Sequence, residues 1–150
     1  MNFQSDLILD LFELNELKIS KLYRIYSQKL PERKVFWEQL SKEEIQHAIE
    51  IRNAYSGKED VFEDNNFARG AIKYVADFVQ DGIEQAKEND LSHMEALEIA
   101  LRVEQSFLEQ KCFEIFIPNQ KTVKEVLQKL NKETQDHIER LQKELKKVNK

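Results

Sequence analysis

Only two prolines interrupt this chain, and each follows a long stretch of apolar residues at helical spacing. Proline removes a backbone donor and clashes with the preceding turn, so Pro31 and Pro118 are the natural stops for two helices. With three glycines in 150 residues and 34% charged side chains, little remains in the sequence to build turns between strands. The expected fold class is all-α, and a chain of this length supports one domain with a single core.

Apolar periodicity divides the chain into four long segments and one shorter one. The first runs from Phe3 to Lys29 and the second from Glu32 to Asn53, joined tightly at Pro31 as an antiparallel hairpin. A shorter helix over Phe67–Glu88 follows within the connection. Ser92 with Glu95 three residues later forms a capping box that opens a segment over 93–117. The last segment covers 120–148 after another short turn. Two hairpins joined by one long connection is a known route to a four-helix bundle with a single crossover.

The stretch WEQLSKEEIQHAIEI, Trp37 to Ile51, places acids and a histidine where leucines are expected. At 100° per residue from Leu40, Glu44 falls at about +40°, His47 at about −20° and Ile51 at about +20°, one narrow inward stripe. Glu43 falls at about −60° and reads as a flanking surface acid. The pattern recurs in LNKETQDHIERL, where Leu130, His137 and Leu141 match Leu40, His47 and Ile51, with Thr134 standing where Glu44 stood. Glu16 in ELNELKISKLY and Glu104 in ALRVEQSFLEQ likewise interrupt two matching apolar faces. Buried acids are costly unless paired, hydrogen-bonded or bound to a cation. Two divalent ions bridged by carboxylates and capped by imidazoles would remove that cost, and the donors suit iron or manganese. Glu-x-x-His serves such a site because residues three apart on a helix project side by side.

These residues resemble the rubrerythrin branch of the ferritin-like superfamily over nearly the whole length. The resemblance is carried by ELKISKLY, FWEQLSKEEIQHA, SHMEALEIALRVE and LNKETQDHIERL. It implies a ferritin-like four-helix bundle with a carboxylate-bridged di-iron site used in peroxide reduction, iron oxidation or oxygen-linked chemistry. Glu16, Glu44, His47, Glu104 and His137 would be the metal ligands. Tyr23, seven after Glu16, would be the catalytic hydroxyl beside the site, hydrogen-bonded to a ligating carboxylate. The cofactor implied is two iron ions, or one, with manganese or zinc as substitutes.

The chain departs from the family pattern at Thr134, which replaces a bridging glutamate; at Phe107, where an additional acid is common; and at Lys111, where a second tyrosine would complete the symmetry. Glu133 would reach the centre only if its helix were locally rewound. The rubredoxin-type Cys-x-x-Cys pairs are lacking, so peroxidase turnover would need an external electron donor. These departures keep a second reading open: a degenerate bundle with one metal ion or none, acting as a binding or assembly module. His137 likewise reads as either a ligand or a core hydrogen-bond donor. A plain coiled coil is disfavoured by the matching of polar intrusions across the two halves.

The remaining features are read more simply. Tyr26, Phe12, Phe36, Trp37, Phe113 and Phe116 are packing residues, and His93, following the cap Ser92, is expected at the surface. The acids of GKEDVFEDNN lack the ligand alternation and central glycine of an EF-hand. A net charge of −5 argues against nucleic acid. Lone Cys112 suits a reducing compartment. The start MNFQSDLILDLFEL lacks a basic region before its apolar residues, and no run reaches the roughly 20 residues that span a bilayer. The expectation is a cytoplasmic protein without a membrane span. Homodimerisation suits the implied fold, with no interface identified.

Overall fold

In the computed structural model the described residues are 8–55, 66–109 and 121–148. They form five α-helices: α1 (Ile8–Lys29), α2 (Lys34–Tyr55), α3 (Asn66–Glu88), α4 (His93–Glu109) and α5 (Lys121–Val148). A 3-10 turn over Pro31–Arg33 links α1 to α2. Among the described residues there is no strand, and the described fold is all-helical.

The helix ends have local causes. Pro31 lacks the N–H needed to continue α1 and stands at the first position of the 3-10 turn, where that N–H would be unsatisfied anyway. At α4, Glu95 N–H donates to Ser92 Oγ at 3.1 Å, and Ser92 N–H donates to the Glu95 carboxyl at 3.1 Å. This reciprocal box satisfies two backbone donors at the start of α4. The segments before Ile8 and over 110–120, with Lys111, Cys112, Phe113 and Phe116, lie outside the described residues, as does most of GKEDVFEDNN and the side chain of Phe107.

Side-chain contacts fix the helix order in space. Arg52 of α2 binds Asp10 and Glu13 of α1, and Ser41 meets Ser20, so α1 and α2 run antiparallel. Arg140 on Glu43 and Lys129 on Glu50 set α5 antiparallel to α2. His93 on Glu144 and His137 on Glu104 set α5 antiparallel to α4. Tyr23 of α1 reaches Glu104 of α4 and completes the circuit. Around this circuit the apolar stripes converge, and Ile19, Leu22, Leu40, Leu97 and Leu130 lose essentially all contact with solvent.

The connecting helix α3 is not short: its 23 residues match α1 in length. Ile72, Val75, Val79, Ile83 and Ala86 form its buried stripe, and Gly82 faces Leu22 of α1 and Ile99 of α4. A full-length amphipathic face needs a full-length partner, and α3 finds one along α1. Its packing on the outside of α1 and α4 leaves the circuit centre to the polar residues of the other four helices.

Candidate metal centre

Glu16, Glu44, His47, Glu104 and His137, one or two from each of α1, α2, α4 and α5, are all buried and meet at one point in the core. Each sits on the apolar stripe of its helix, so burying the stripes carries the polar groups inward with them. Two donor sets result. Glu16, Glu44 and His47 form one; Glu44, Glu104 and His137 form the other, with the donor atoms of each set within 4.8 Å of one another.

Glu44 belongs to both sets through different oxygens. Its Oε2 lies 3.4 Å from His47 Nδ1, and its Oε1 lies 3.0 Å from His137 Nδ1. Glu16 Oε2 approaches His47 Nδ1 at 3.6 Å, while Glu104 Oε1 approaches His137 Nδ1 at 3.3 Å. The two imidazole rings stack with centroids 5.3 Å apart and planes 16° from parallel. A two-fold relation between the halves of the chain is therefore visible in the centre itself. Tyr23 donates its hydroxyl to Glu104 Oε1 at 2.8 Å.

The outward nitrogens are held by a crossed pair of acids. His47 Nε2 pairs with Glu133 at 2.7 Å, and His137 Nε2 pairs with Glu43 at 3.1 Å. Each histidine is thus fixed by the acid that precedes the matching motif in the other half, and in both cases Nδ1 is left facing the inner carboxyls. Outer carboxylates of this kind orient metal-binding imidazoles and raise their basicity. Arg140 braces Glu43 with three contacts of 3.0 Å, and Lys129 stands 3.8 Å from Glu133.

Two expectations are corrected here. Glu43 is not merely a flanking surface acid: it is half-buried and bridges His137 and Arg140. Glu133 stays outside the donor sets, as an unrewound helix requires: α5 is α-helical throughout, and Glu133 engages His47 from outside the cluster. Thr134 lies where the sequence puts it, buried, but its Oγ1 donates back to the Leu130 carbonyl at 3.0 Å and offers the centre no carboxyl. His93 is also less exposed than expected, partly buried at the edge of the molecule. Its side chain is 10% exposed, with Nε2 3.3 Å from Glu144 and Nδ1 accepting the Trp37 indole N–H at 3.2 Å.

The electrostatics follow from burial and contact. Burial, reinforced by Glu44, raises the Glu16 carboxyl to about 8. Burial opposes charge on His47, but hydrogen bonds to Glu16 and Glu44 outweigh it and push the imidazole up to about 11. The same contest at His137, won by hydrogen bonds to Glu104, Glu43 and Glu44, pushes it up to about 12. Glu43 resists its own partial burial and is lowered to about 2 by hydrogen bonds from His137 and Arg140. At neutral pH the Glu16–Glu44 pair therefore holds one proton, and each imidazole holds one beyond that of the neutral ring. Both stacked imidazoles are then positively charged, an arrangement that divalent ions can relieve by displacing the protons. The donor set of hard oxygens with imidazole nitrogens could hold divalent metal ions.

One edge of the centre reaches solvent. A surface pocket of about 360 Å³ between α2 and α5 is lined by His47 and Glu133 together with Glu43, Asp136, Lys129 and Lys132. The His47 side is thus the approach from outside, while His137 is closed over. Among the described residues no helix is long and apolar enough to cross a membrane. Compared with protein-family models, curated proteins and solved structures, the chain matches none.

Proposed function

We propose that this chain is a ferritin-like four-helix bundle of the rubrerythrin type, which binds two iron ions and reduces peroxide or oxidises iron. The observation that carries the reading is Glu44, whose two oxygens face two different imidazoles, each backed by its own glutamate. A carboxyl so placed is shaped to bridge two cations. Glu16 and His47 would hold one ion, Glu104 and His137 the other, and Glu44 both. Bound iron supplies the redox chemistry. The chain's residues do the rest: Glu133 and Glu43 fix the imidazoles, Tyr23 holds a proton against Glu104, and the apolar layer of Leu40, Leu130 and Leu141 keeps water from the inner face. Reducing equivalents come from another protein.

The test is elemental analysis of protein refolded or expressed with iron, compared with the E44A and H47A variants. The reading requires iron well above background in the wild type and its loss in both variants. Iron that is substoichiometric and unaltered by either substitution counts decisively against it.

A second reading is favoured by Thr134, which turns away to the Leu130 carbonyl and leaves three inner carboxyls instead of four. Every imidazole nitrogen in the cluster already has an acidic partner, so the network is satisfied by protons alone. On this reading the bundle is an assembly module with one ion or none. In its metal-free form chelators would leave the melting temperature unchanged, because no bound metal contributes to folding, and a clear drop on chelation excludes that form.

A further inference from the structure

A line of oxidisable side chains leads from the buried cluster to the edge of the molecule, and packing alone does not account for its polar contacts. Tyr23 donates its hydroxyl to Glu104 and lies 5.6 Å, ring to ring, from Trp37. Trp37 is fully buried and donates its indole N–H to His93 Nδ1 at 3.2 Å, with the two rings 5.8 Å apart. His93 pairs through Nε2 with Glu144, near the ends of α4 and α5. Both oxidisable groups thus have a proton acceptor in place. Tyr26 stands in the same cluster, 4.9 Å from Trp37, but its buried hydroxyl has no hydrogen-bond partner among the described residues.

The geometry points to an electron relay, Tyr23 to Trp37 with His93 as its proton acceptor, that carries single electrons from a donor at the α4 and α5 end to an oxidant at the carboxyl–imidazole cluster. Phenol and indole lose an electron far more readily when their proton can leave together with it. Tyr23 and Trp37 meet that condition and Tyr26 does not, which selects the route.

The steps balance. If the cluster held iron and met hydrogen peroxide, Tyr23 would supply one electron to the oxidant so formed, its phenolic proton passing to Glu104 to leave a neutral tyrosyl radical. Trp37 returns an electron to that radical as Glu104 gives back its proton. The indole proton moves to His93 Nδ1, producing an imidazolium beside the Glu144 carboxyl and a neutral tryptophanyl radical. A one-electron reductant at the His93 edge restores Trp37 as the proton returns. One electron crosses, and no side chain is left altered. Neutral His93 suits the acceptor role, since burial lowers its basicity and Nδ1 already accepts from the indole.

For its oxidant the relay rests on the function proposed above; the transfer between Trp37 and Tyr23 does not. The test therefore uses the metal-free full chain. Trp37 is the sole tryptophan, so selective ultraviolet photo-ionisation in the presence of an electron scavenger places the radical at a known position, and transient absorption follows it. The test runs the Tyr23–Trp37 step in reverse, since a pair coupled for transfer exchanges an electron either way. First-order decay of the tryptophanyl radical is expected, independent of protein concentration, with matching growth of a tyrosyl radical as Tyr23 reduces it. Y23F abolishes that growth and Y26F retains it, with circular dichroism verifying that each variant is folded. Tyrosyl growth that persists in Y23F, or that disappears in Y26F, overturns the relay, as does a wild type in which none appears. Should Y23F fail to fold, the triple variant Y26F/Y55F/Y74F, which keeps Tyr23 alone, decides: the relay requires tyrosyl growth in it, and its absence overturns the relay. Failure to bind iron would sink the proposed function and leave this outcome unchanged.

Discussion

Glu44 Oε1 and Oε2 face different imidazoles, whereas Glu16 and Glu104 each face one. Losing Glu44 disconnects both donor sets, and losing Glu16 disconnects one. Titration of each variant with Fe(II) under anaerobic conditions, read by calorimetry, should show no site in E44A and one remaining site in E16A. Thr134 allows a complementary test. In T134E a fourth carboxyl would enter a buried site, so the metal-free variant should be less stable by about 3 kcal/mol. With metal the order should reverse, T134E melting above the wild type. The inward set was legible in the sequence because Glu44 with His47, His137, Glu16 and Glu104 all interrupt apolar stripes at matching places. The outer set was not. Glu43 and Glu133 sit off the stripe on a helical wheel, and their crossed pairing depends on the antiparallel register of α2 against α5, which a single-helix angle does not contain. Their equivalent positions in the two motifs were the available signal.

At the scale of elements, α1 and α2 are locked by a serine pair close to the carboxyl–imidazole cluster. Ser20 Oγ donates to the Ser41 carbonyl at 3.0 Å, Ser41 Oγ donates to the Ser20 carbonyl at 2.9 Å, and the hydroxyls lie 2.9 Å apart. Small side chains with reciprocal bonds let the two backbones approach closely, which sets the distance between Glu16 and Glu44. Ser41→Ala should lower stability by about 1 kcal/mol in urea unfolding. The double variant with Ser20→Ala should cost less than the sum of the singles, since both hydroxyls serve one contact. At the start of α4, Ser92→Ala should cost about 1 kcal/mol through loss of the cap. Helix ends at Pro31 and Ser92 could be read directly, because proline and the capping box act within a few residues. The placement of His93 against Trp37 could not, because it joins the starts of two helices far apart in the chain. The contact between α3 and α1 was equally hidden: periodicity shows that α3 has a buried face and not what covers it.

For the whole molecule, the protons in the cluster tie stability to pH and to metal. The His47 and His137 pKa values are raised, so their contribution is complete below the ordinary histidine value of 6.5 and is lost as pH rises toward about 11 and 12. Glu16, raised from 4.5 to about 8, acts in the same direction over that lower window. The metal-free protein should therefore melt at progressively lower temperature from neutral to alkaline pH, while metal binding strengthens over the same range as protons leave the donors. Calorimetry in buffers of different ionisation enthalpy at pH 7 should show about three protons released as the site fills, one from each of these groups. Most direct is an anomalous difference map, at the iron edge, of crystals of the iron-loaded protein. The account predicts two peaks flanking Glu44, about 3.5–4 Å apart, one beside His47 Nδ1 and the other beside His137 Nδ1. A map with no peak between these helices, or with iron only on the exposed acids, contradicts it.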